Sequence, residues 1–449
     1  MIYRQILLLL IIFPLLFTIA DASPNYKAVG YYASWKRDVF PAEKVDFKNL
    51  THIAHAFIWP NADGSLATYD NFFYPELITK THQAGRKIIV SIGGWGHCDG
   101  FSPMTANVTA RTKFIDNVKN FCRKNGYDGV DIDWEYPQST IEIANLTLLV
   151  YKLRQAFDAV DSSMILSMAV PISDYNGKWF DFATMKNYVN WIGGMTYDFH
   201  GSWTDHAGHS APLYAPSNES EGSVDTGIQY LLSRGIPADK IFMGLPFYGK
   251  EFTARDLYSS STGCNDLGYN EIIPRLSAGW IYHWDNLAKV PYLTNSNRTK
   301  LISFDDTVSV QIKCEYLKQK KLGGVIIWEL SHDDMGDAQP LLEVIGSALD
   351  MTNVPINESE IPKTFVLENN YPNPFNSSTA LRYYVFQKAK IRLEVFNILG
   401  EKISVLVDRE QEVGWQKVVY EANELPSGIY FYQLTTPSFS EANKMILIR

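Results

Sequence analysis

The feature that most constrains this chain is a ten-residue run, 128–137, in which acidic and apolar side chains alternate strictly. Successive side chains of a β-strand point to opposite faces. A strand here would therefore carry three carboxyl groups on one face and an apolar surface on the other. The acidic positions are Asp131, Asp133 and Glu135, and the apolar ones are Val130, Ile132 and Trp134.

Three carboxyl groups on a buried strand are too costly to be kept for stability alone. Their mutual repulsion should raise the pKa of at least one of them, which keeps a carboxylic acid protonated near neutral pH. The alternative is a solvated edge strand with chance acidic residues, and the apolar opposite face argues against it. The run therefore predicts an acid–base site.

The rest of the chain alternates short apolar runs with helical patterns, which is typical of parallel strands buried on both faces. Eight strand-then-helix units over about 330 residues predict an α/β fold of the (β/α)₈ TIM-barrel type. An open doubly wound sheet is the alternative, but its usual glycine-rich phosphate loop is missing. The predicted strands are Ala28–Trp35, His52–Trp59, Lys87–Trp95, Gly129–Tyr136, Met164–Pro171, Trp191–Asp198, Ile241–Tyr248 and Gly323–Leu330.

The chemistry of such a barrel lies at the C-terminal ends of its strands. Carboxylates, tyrosines and tryptophans follow most of the predicted strands at that end. A single aromatic residue is more often part of the core, but packing does not explain why so many occur at one rim. With 14% aromatic residues and 11 tryptophans, the composition suits a carbohydrate groove, where sugar faces stack on rings.

Five motifs at these strand ends together resemble glycoside hydrolase family 18, the chitinase family. Asp-Gly-x-Asp-x-Asp-x-Glu at 128–135 is similar to the family's acidic signature, with all four acidic positions filled. The others, in the family's order, are Ser-x-Gly-Gly-Trp (91–95), Met-Thr-Tyr-Asp-Phe-His-Gly (195–201), Leu-Pro-Phe-Tyr-Gly (245–249) and Gly-Gly-x-x-x-Trp-Glu-Leu (323–330). The resemblance covers about residues 26–350. Lys250 departs from it, because many relatives have arginine there, and this puts one substrate contact in doubt.

The resemblance implies a retaining chitinase without cofactor or metal, in which the substrate's own acetamido group attacks the anomeric carbon. Glu135 would be the acid and base, Asp133 would orient the acetamido group, and Asp131 would tune the charge of Asp133. Tyr197 would hydrogen-bond the acetamido group, and Trp328 would form the floor of the pocket. The other implied substrate-binding residues are Tyr32, Phe57, Trp95, Met195, Asp198 and Tyr248.

Two other functions remain open at this stage. An endo-β-N-acetylglucosaminidase acting on glycans is one of them, although the segment at 195–201 and a long insertion look like the chitinase subgroup. A chitin-binding lectin typically has its acid replaced, and here Glu135 is present. The resemblance implies a small α+β insertion domain at about 250–305, whereas the sequence pattern alone indicates only a functional insertion.

Beyond the barrel, which we assign to 23–350, residues 351–363 are polar and contain proline, so they predict a linker. Residues 364–449 contain short β-rich runs and predict a small all-β sandwich with Tyr430, Phe431 and Tyr432 in its core. The predicted runs are Ala380–Phe386, Ile391–Asn397, Gln416–Tyr420, Ile429–Thr435 and Lys444–Ile448. Segments at 370–376, 397–401 and 428–445 resemble the type A sorting domain of the type IX secretion system. That resemblance implies contact with the secretion machinery and export through the periplasm of a Gram-negative bacterium to the medium or the cell surface. A carbohydrate-binding module is the rival interpretation.

Residues 1–22 predict a removable signal peptide, with Arg4 before an apolar run that is too short for a membrane span. No later stretch predicts a span. The net charge of −9 argues against a nucleic-acid partner, and we expect a monomer. His97 and Asp99 flank a cysteine but lack a spaced ligand set, so no metal is expected. The sequence leaves the pairing of Cys98, Cys122, Cys264 and Cys314 open, although we do not expect Cys98 to pair with Cys122.

Overall fold

The computed structural model describes residues 26–216, 222–350, 365–370, 372–385, 388–411, 414–422, 425–437 and 439–448. The predicted signal peptide (1–22) and linker (351–363) lie outside these ranges. Within them, no helix has the length and apolar character needed to cross a membrane.

The N-terminal part of the chain is a closed barrel of eight parallel strands, so the fold predicted from the strand–helix alternation is confirmed. The first eight strands are β1 (Lys27–Ala33), β2 (His52–Pro60), β3 (Leu66–Thr68), β4 (Lys87–Gly93), β5 (Gly129–Asp133), β6 (Ile165–Val170), β7 (Trp191–Gly194) and β8 (Ile241–Pro246). Strand β14 (Gly324–Trp328) is the eighth barrel strand, and β3 is a short antiparallel partner of β2. The order is β1-β14-β8-β7-β6-β5-β4-β2, and pairing between β1 and β2 closes the barrel.

Helices follow the barrel strands and cover their outer surface. Capping residues explain where α3 begins and ends. Asn107 precedes its first residue and accepts a hydrogen bond from the Ala110 amide, and Gly126 follows its last residue in the left-handed conformation (φ +84°). The helices are α1 (Pro75–Gln83), α2 (Phe101–Ala106), α3 (Val108–Asn125), α4 (Thr140–Asp158), α5 (Asp174–Gly177), α6 (Phe182–Met185), α7 (Val224–Ser233), α8 (Tyr269–Ser277), α9 (Thr307–Lys320) and α10 (Pro340–Ala348).

Successive side chains of each barrel strand point alternately into the barrel and outward, toward the helices. They form two separate apolar regions, which we call the interior and the shell. The interior is filled by large residues, among them Trp191 and Phe242, whose rings stack 5.1 Å apart. The shell lies between strands and helices and contains Val130, Ile132 and Trp134. The predicted apolar face of the acidic strand is therefore confirmed, and it is packed against helices.

The segment between β8 and β14 forms the insertion, an antiparallel sheet of five strands with helix α8. Its strands are β9 (Tyr248–Phe252), β10 (Cys264–Gly268), β11 (Ile281–Asp285), β12 (Val290–Thr294) and β13 (Leu301–Ser303). Their order is β10-β9-β13-β12-β11. The α+β character implied by the resemblance is confirmed, and the sheet begins at Tyr248.

The C-terminal part is a sandwich of two antiparallel sheets around one apolar core, as predicted. The strands are β15 (Val366–Leu367), β16 (Ser378–Val385), β17 (Ala389–Asn397), β18 (Lys402–Gln411), β19 (Gly414–Glu421), β20 (Gly428–Thr435) and β21 (Ser440–Leu447). Five of these match predicted runs, whereas β15 and β18 were not foreseen. Tyr430 and Tyr432 lie in the core, but Phe431 is 38% exposed on the outer face, so its predicted place in the core was wrong.

Candidate active site

The acidic run lies at the C-terminal end of β5, but the strand is shorter than predicted. Asp131 and Asp133 are the third and fifth residues of β5, and both are buried. The strand ends at Asp133, so Glu135 stands two residues beyond it, and the prediction of three carboxyl groups within one strand was wrong in this respect. Asp131 and Asp133 are buried, as predicted, and Glu135 follows them in a less enclosed position.

Asp131 is held by three hydroxyl groups at the base of the site. Tyr31 and Ser91 donate to its Oδ2 over 2.7 and 3.0 Å, and Ser167 donates to its Oδ1 over 2.7 Å. Burial raises the pKa of Asp131, while these three hydrogen bonds lower it. Asp131 is thus an anchored group with both oxygens already bonded.

Asp133 has a different environment, although it lies only two residues away. Burial raises the pKa of its carboxyl well above its ordinary value, and the neighbouring charges of Glu135 and Asp131 raise it further. Within the described residues, its Oδ1 is buried and makes no hydrogen bond. A buried oxygen without a partner is costly, so this atom is available to a donor that enters the site.

Glu135 is mostly enclosed, and its pKa is raised from 4.5 to about 7. Burial is the largest cause, and the charge of Asp198 adds to it. The Tyr136 hydroxyl and the backbone N–H of Trp95 donate to the carboxyl group and lower its pKa. Burial therefore contributes more than the repulsion expected from the sequence, and the outcome is a carboxylic acid that can both give and take a proton near neutral pH.

The backbone around Glu135 is fixed by Cys98, which follows β4, and by Gly93, the last residue of β4. The N–H of Glu135 donates to Sγ of Cys98 over 3.1 Å, and that thiol donates to the carbonyl oxygens of Asp133 and Gly94, both at 3.4 Å. Burial raises the pKa of Cys98 to about 12, so the thiol stays neutral. Gly93 has φ +116°, and a Cβ atom there would lie 2.0 Å from the carbonyl oxygen of Asp133. The absence of a side chain at Gly93, in the Ser-x-Gly-Gly-Trp motif, therefore allows β4 and the backbone of Asp133 to lie this close together.

A second group of polar residues follows β7 and β8. Asp198 accepts the Tyr248 hydroxyl on Oδ1 over 2.7 Å, and Nζ of Lys250 lies 2.9 Å from the same oxygen. Tyr197 lies beside them, with its ring centroid 6.1 Å from that of Tyr248. Burial raises the pKa of the Tyr197 hydroxyl well above its ordinary value, and the charges of Asp133, Asp198 and Glu135 raise it further.

A cluster of aromatic rings lies around Trp328. Trp328 stacks on Phe57 at 5.5 Å and meets the edge of Tyr31 at 5.6 Å. Trp35 continues the platform beside Phe57 at 6.1 Å and is 47% exposed. Trp95 is 79% exposed at the rim. Flat apolar surface beside acidic groups is what a sugar polymer requires of a binding groove.

The prediction that Tyr32 lines the pocket was wrong. Its ring packs in the outer shell, 6.1 Å from the rings of Phe40 and Tyr74, and its hydroxyl donates to the carbonyl oxygen of Phe40 over 2.6 Å. Neighbouring strand residues point to opposite faces, so Tyr31 faces the barrel interior instead. Met195, which directly follows β7, is half-buried.

Several residues of the site were missed by the sequence reasoning. Tyr31 is the chain neighbour of Tyr32, and only the register of β1 shows which of the two faces the barrel interior. Tyr136 belongs to the acidic motif itself, and Trp203, 60% exposed, follows the 195–201 motif. No sequence signal could have identified Cys98, because its partners are backbone atoms of a distant segment.

The structure holds all four cysteines as free thiols. In the described ranges, no group of three or more His, Cys, Asp or Glu side chains could hold a metal ion.

Two comparisons with known families cover most of the chain. Residues 27–333 match the family described as glycosyl hydrolases family 18, and residues 369–448 match a secretion system C-terminal sorting domain. The first match covers more than half of the chain. The chain belongs to glycosyl hydrolase family 18. This family 18 member carries the sorting domain behind its barrel, and the resemblance noted in both parts of the sequence is confirmed.

Individual relatives of this family 18 hydrolase are consistent with that assignment. Chitinase A1 of Niallia circulans is 32% identical over 70% of this chain and 57% of that protein, and chitinase ChiA of Flavobacterium johnsoniae is 30% identical over 74% and 28%. The chain thus spans less than two thirds of either relative. A group IV chitinase of Ostrinia furnacalis, solved in complex with allosamidin, has a TM-score of 0.68, is 30% identical and covers 73% of this chain and 99% of its own. Human YKL-39, described as a pseudo-chitinase that retains chitooligosaccharide binding, has a TM-score of 0.67 at 25% identity over 72% of this chain and all of its own.

Proposed function

We propose that this protein is a chitinase that hydrolyses β-1,4-linked N-acetylglucosamine polymers with retention of configuration. The observation that carries the proposal is the pairing of two unlike carboxyl groups. Glu135 has a pKa of about 7, and Asp133 beside it has a buried oxygen without a hydrogen-bond partner. An acid and a hydrogen-bond acceptor therefore lie next to each other at the end of β5.

The proposed first step is protonation of the glycosidic oxygen by Glu135. The carbonyl oxygen of the substrate's 2-acetamido group then attacks the anomeric carbon, and the bond to the leaving sugar breaks. The N–H of the same acetamido group would donate to Oδ1 of Asp133 and satisfy that oxygen. Water, deprotonated by Glu135, opens the cyclic intermediate, and the second inversion restores the original configuration.

A protein carboxylate is a poorer candidate for the nucleophile. Asp131 has both oxygens engaged by hydroxyl groups, and Asp198 is paired with Lys250 and Tyr248. Asp133 and Glu135 come from one strand end, whereas a nucleophile and an acid that work on one bond must flank the sugar. Substrate assistance needs no second carboxylate on the far side.

We further propose that the aromatic platform binds the polymer. Trp328 would support the sugar at the cleavage point, and Phe57 and Trp35 would support the sugars beyond it. Trp95, Met195, Tyr197, Asp198 and Tyr248 would line the same pocket. The insertion sheet would deepen the groove, which favours a long polymer over a branched glycan.

We also propose that the chain is exported and sorted. Residues 1–22 would direct passage through the inner membrane, and the sandwich from 364 onward would be recognised by the secretion machinery of a Gram-negative bacterium. Chitin outside the cell is then the accessible substrate. Residues 23–350 would contain the whole catalytic apparatus.

Substitution of Glu135 by glutamine, with binding and turnover measured separately, tests the proposal. Glu135→Gln should abolish hydrolysis of chitin oligomers while oligomer binding is kept, because the change removes a proton with little change in volume. General acid catalysis contributes about 10²–10⁴-fold, so a variant with more than a tenth of the wild-type rate would contradict the role. Asp133→Asn should be severely impaired as well. A parallel product profile on a high-mannose glycopeptide separates a chitinase from an endo-β-N-acetylglucosaminidase.

A further inference from the structure

Lys250 is a buried cation held between two parts of the molecule. Its side chain is 4% exposed, and its Nζ lies 2.9 Å from Oδ1 of Asp198 and 2.8 Å from Oδ1 of Asp266. Asp198 belongs to the barrel segment after β7, whereas Asp266 lies on β10 of the insertion, directly opposite Lys250 in the β9–β10 ladder. One ammonium group thus joins the cleft to the insertion sheet.

The strand geometry explains why Lys250 reaches Asp198. Tyr248 and Lys250 are two residues apart on β9, so their side chains share one face. Both contact Oδ1 of Asp198, and within the described residues Oδ2 of that carboxylate has no hydrogen bond. Asp198 itself has φ +61°, a left-handed conformation that is unfavourable for a residue with a Cβ atom. The two contacts hold a strained residue with one oxygen still available.

The surroundings of Lys250 keep it in place. The rings of Trp203 and Tyr248 both lie 5.2 Å from its Nζ, so the ammonium group is enclosed by aromatic surface. Burial lowers the pKa of Lys250, but Asp198 and Asp266 together raise it by more, so the side chain remains a cation. A buried ammonium group that lost both carboxylates would be strongly unfavourable, so Lys250 requires Asp198 and Asp266 as partners.

We propose that Lys250, on β9 of the insertion sheet, is a positioning residue that holds Asp198 in the cleft, and that Asp266 on β10 keeps its ammonium group in place. The inference rests on the proposed function, because it concerns the sugar that Asp198 binds beside Glu135. Lys250 does not need to touch the substrate in this role. It fixes the oxygen that does not bind the sugar and balances a charge that would otherwise act on Glu135.

The charged and titratable groups around the two ends of this link determine the expected pH effect. Asp133, Asp198, Tyr136 and Tyr197 surround Glu135, and Cys98 lies beneath it. Asp198, Asp266, Tyr248 and Cys264 surround Lys250. Removing the cation leaves the charge of Asp198 uncompensated, which raises the pKa of Glu135. Activity should then persist to higher pH, because Glu135 stays protonated longer.

The test compares Lys250→Met, Lys250→Arg and Asp266→Asn in the full chain, with chitin oligomers as substrate across a pH series. Lys250→Met should raise KM roughly tenfold, since a charge-assisted contact of Asp198 is lost. It should also move the alkaline limb of kcat upward by about half a pH unit or more. Lys250→Arg should restore both values to within about threefold, because arginine can bridge two carboxylates. Asp266→Asn should raise KM but move the limb downward, since Lys250 then compensates Asp198 alone.

Lys300→Met is the matched control, because it removes an ion pair to Glu251 on the same strand β9. It should leave KM and the pH limb unchanged. A Lys250→Met enzyme whose pH limb stays in place, or whose losses equal those of Lys300→Met, would overturn the positioning role. Calorimetry of N-acetylglucosamine oligomers binding to Glu135→Gln, with and without Lys250→Met, measures the effect of Lys250 on affinity in the absence of turnover. Equal affinities there would also overturn it, whereas a wild-type enzyme inactive on chitin oligomers would instead contradict the proposed function.

Discussion

Glu135 is held in an environment that disfavours its charge, and its replacement by glutamine should therefore stabilise the protein at alkaline pH. The pKa of Glu135 is raised from 4.5 to about 7. In the unfolded chain this group ionises near pH 4.5, whereas in the folded protein it keeps its proton up to about pH 7. Folding stability must fall as pH rises through that window. At 1.36 kcal/mol per pH unit, the loss is at most about 3 kcal/mol.

Glu135→Gln removes this dependence, because glutamine does not titrate. The free energy of unfolding of the variant minus that of the wild type should rise from pH 4 to pH 8 by up to about 3 kcal/mol. Any hydrogen bonds lost from Tyr136 or the Trp95 amide lower the variant's stability at every pH and cancel in this comparison. Denaturant unfolding followed by tryptophan fluorescence at the two pH values measures it.

The control is Glu315→Gln, at an exposed position of α9, which should give the same stability difference at both pH values. If the stability difference between Glu135→Gln and wild type is also equal at pH 4 and pH 8, Glu135 does not have a raised pKa. The reasoning that makes it the acid would then be refuted, even if the variant were inactive.

Two other predictions concern single contacts, and a third concerns the C-terminal domain. Tyr31→Phe should lower kcat at least tenfold, because the buried carboxylate of Asp131 loses one of its three hydrogen-bond donors. Tyr32→Phe is the control and should change kcat less than twofold. Steady-state kinetics of both variants on chitin oligomers test this prediction. Cys98→Ala should lower both kcat and the melting temperature, since it leaves a backbone N–H unpaired, and Cys98→Ser should keep most of both; an alanine variant as active as the serine one would contradict this. A chain ending near Asp350 should hydrolyse chitin oligomers in vitro but should not be secreted by the native host. Normal secretion of this shorter chain would contradict the sorting interpretation. Normal secretion with a lost affinity for insoluble chitin would favour a binding module.

The sequence predicts the barrel well because its signals are periodic. The eight apolar runs and the alternating acidic strand are recognised from the faces that their side chains occupy. Burial of one or both faces imposes the same pattern along the whole strand. The same reasoning identified Asp131, Asp133 and Glu135. It could not show that β5 ends at Asp133, because the limit of a strand depends on the hydrogen bonds of its neighbours.

The sequence-based predictions fail where a shift of one residue changes the face on which a side chain lies, or where a side chain contacts a residue distant in the sequence. Tyr31 and Tyr32 are chemically alike, and only the register of β1 separates a residue of the site from one of the shell. Phe431 was placed in the core with its neighbours, although strict alternation leaves it outside. Cys98 and Lys250 act through atoms distant in sequence, and such contacts appear only when the chain is folded.

The most direct test of the account asks which atom attacks the anomeric carbon. If the substrate supplies the nucleophile, the sugar on the non-reducing side of the cut must carry an N-acetyl group. Partially deacetylated chitosan should then be cleaved only after N-acetylglucosamine units, and the first product should be the β-anomer. Sequencing of the new reducing ends in chitosan digests should find N-acetylglucosamine alone. Glucosamine found there as often as N-acetylglucosamine would mean that a protein carboxylate attacks instead, and would contradict the role given to Asp133.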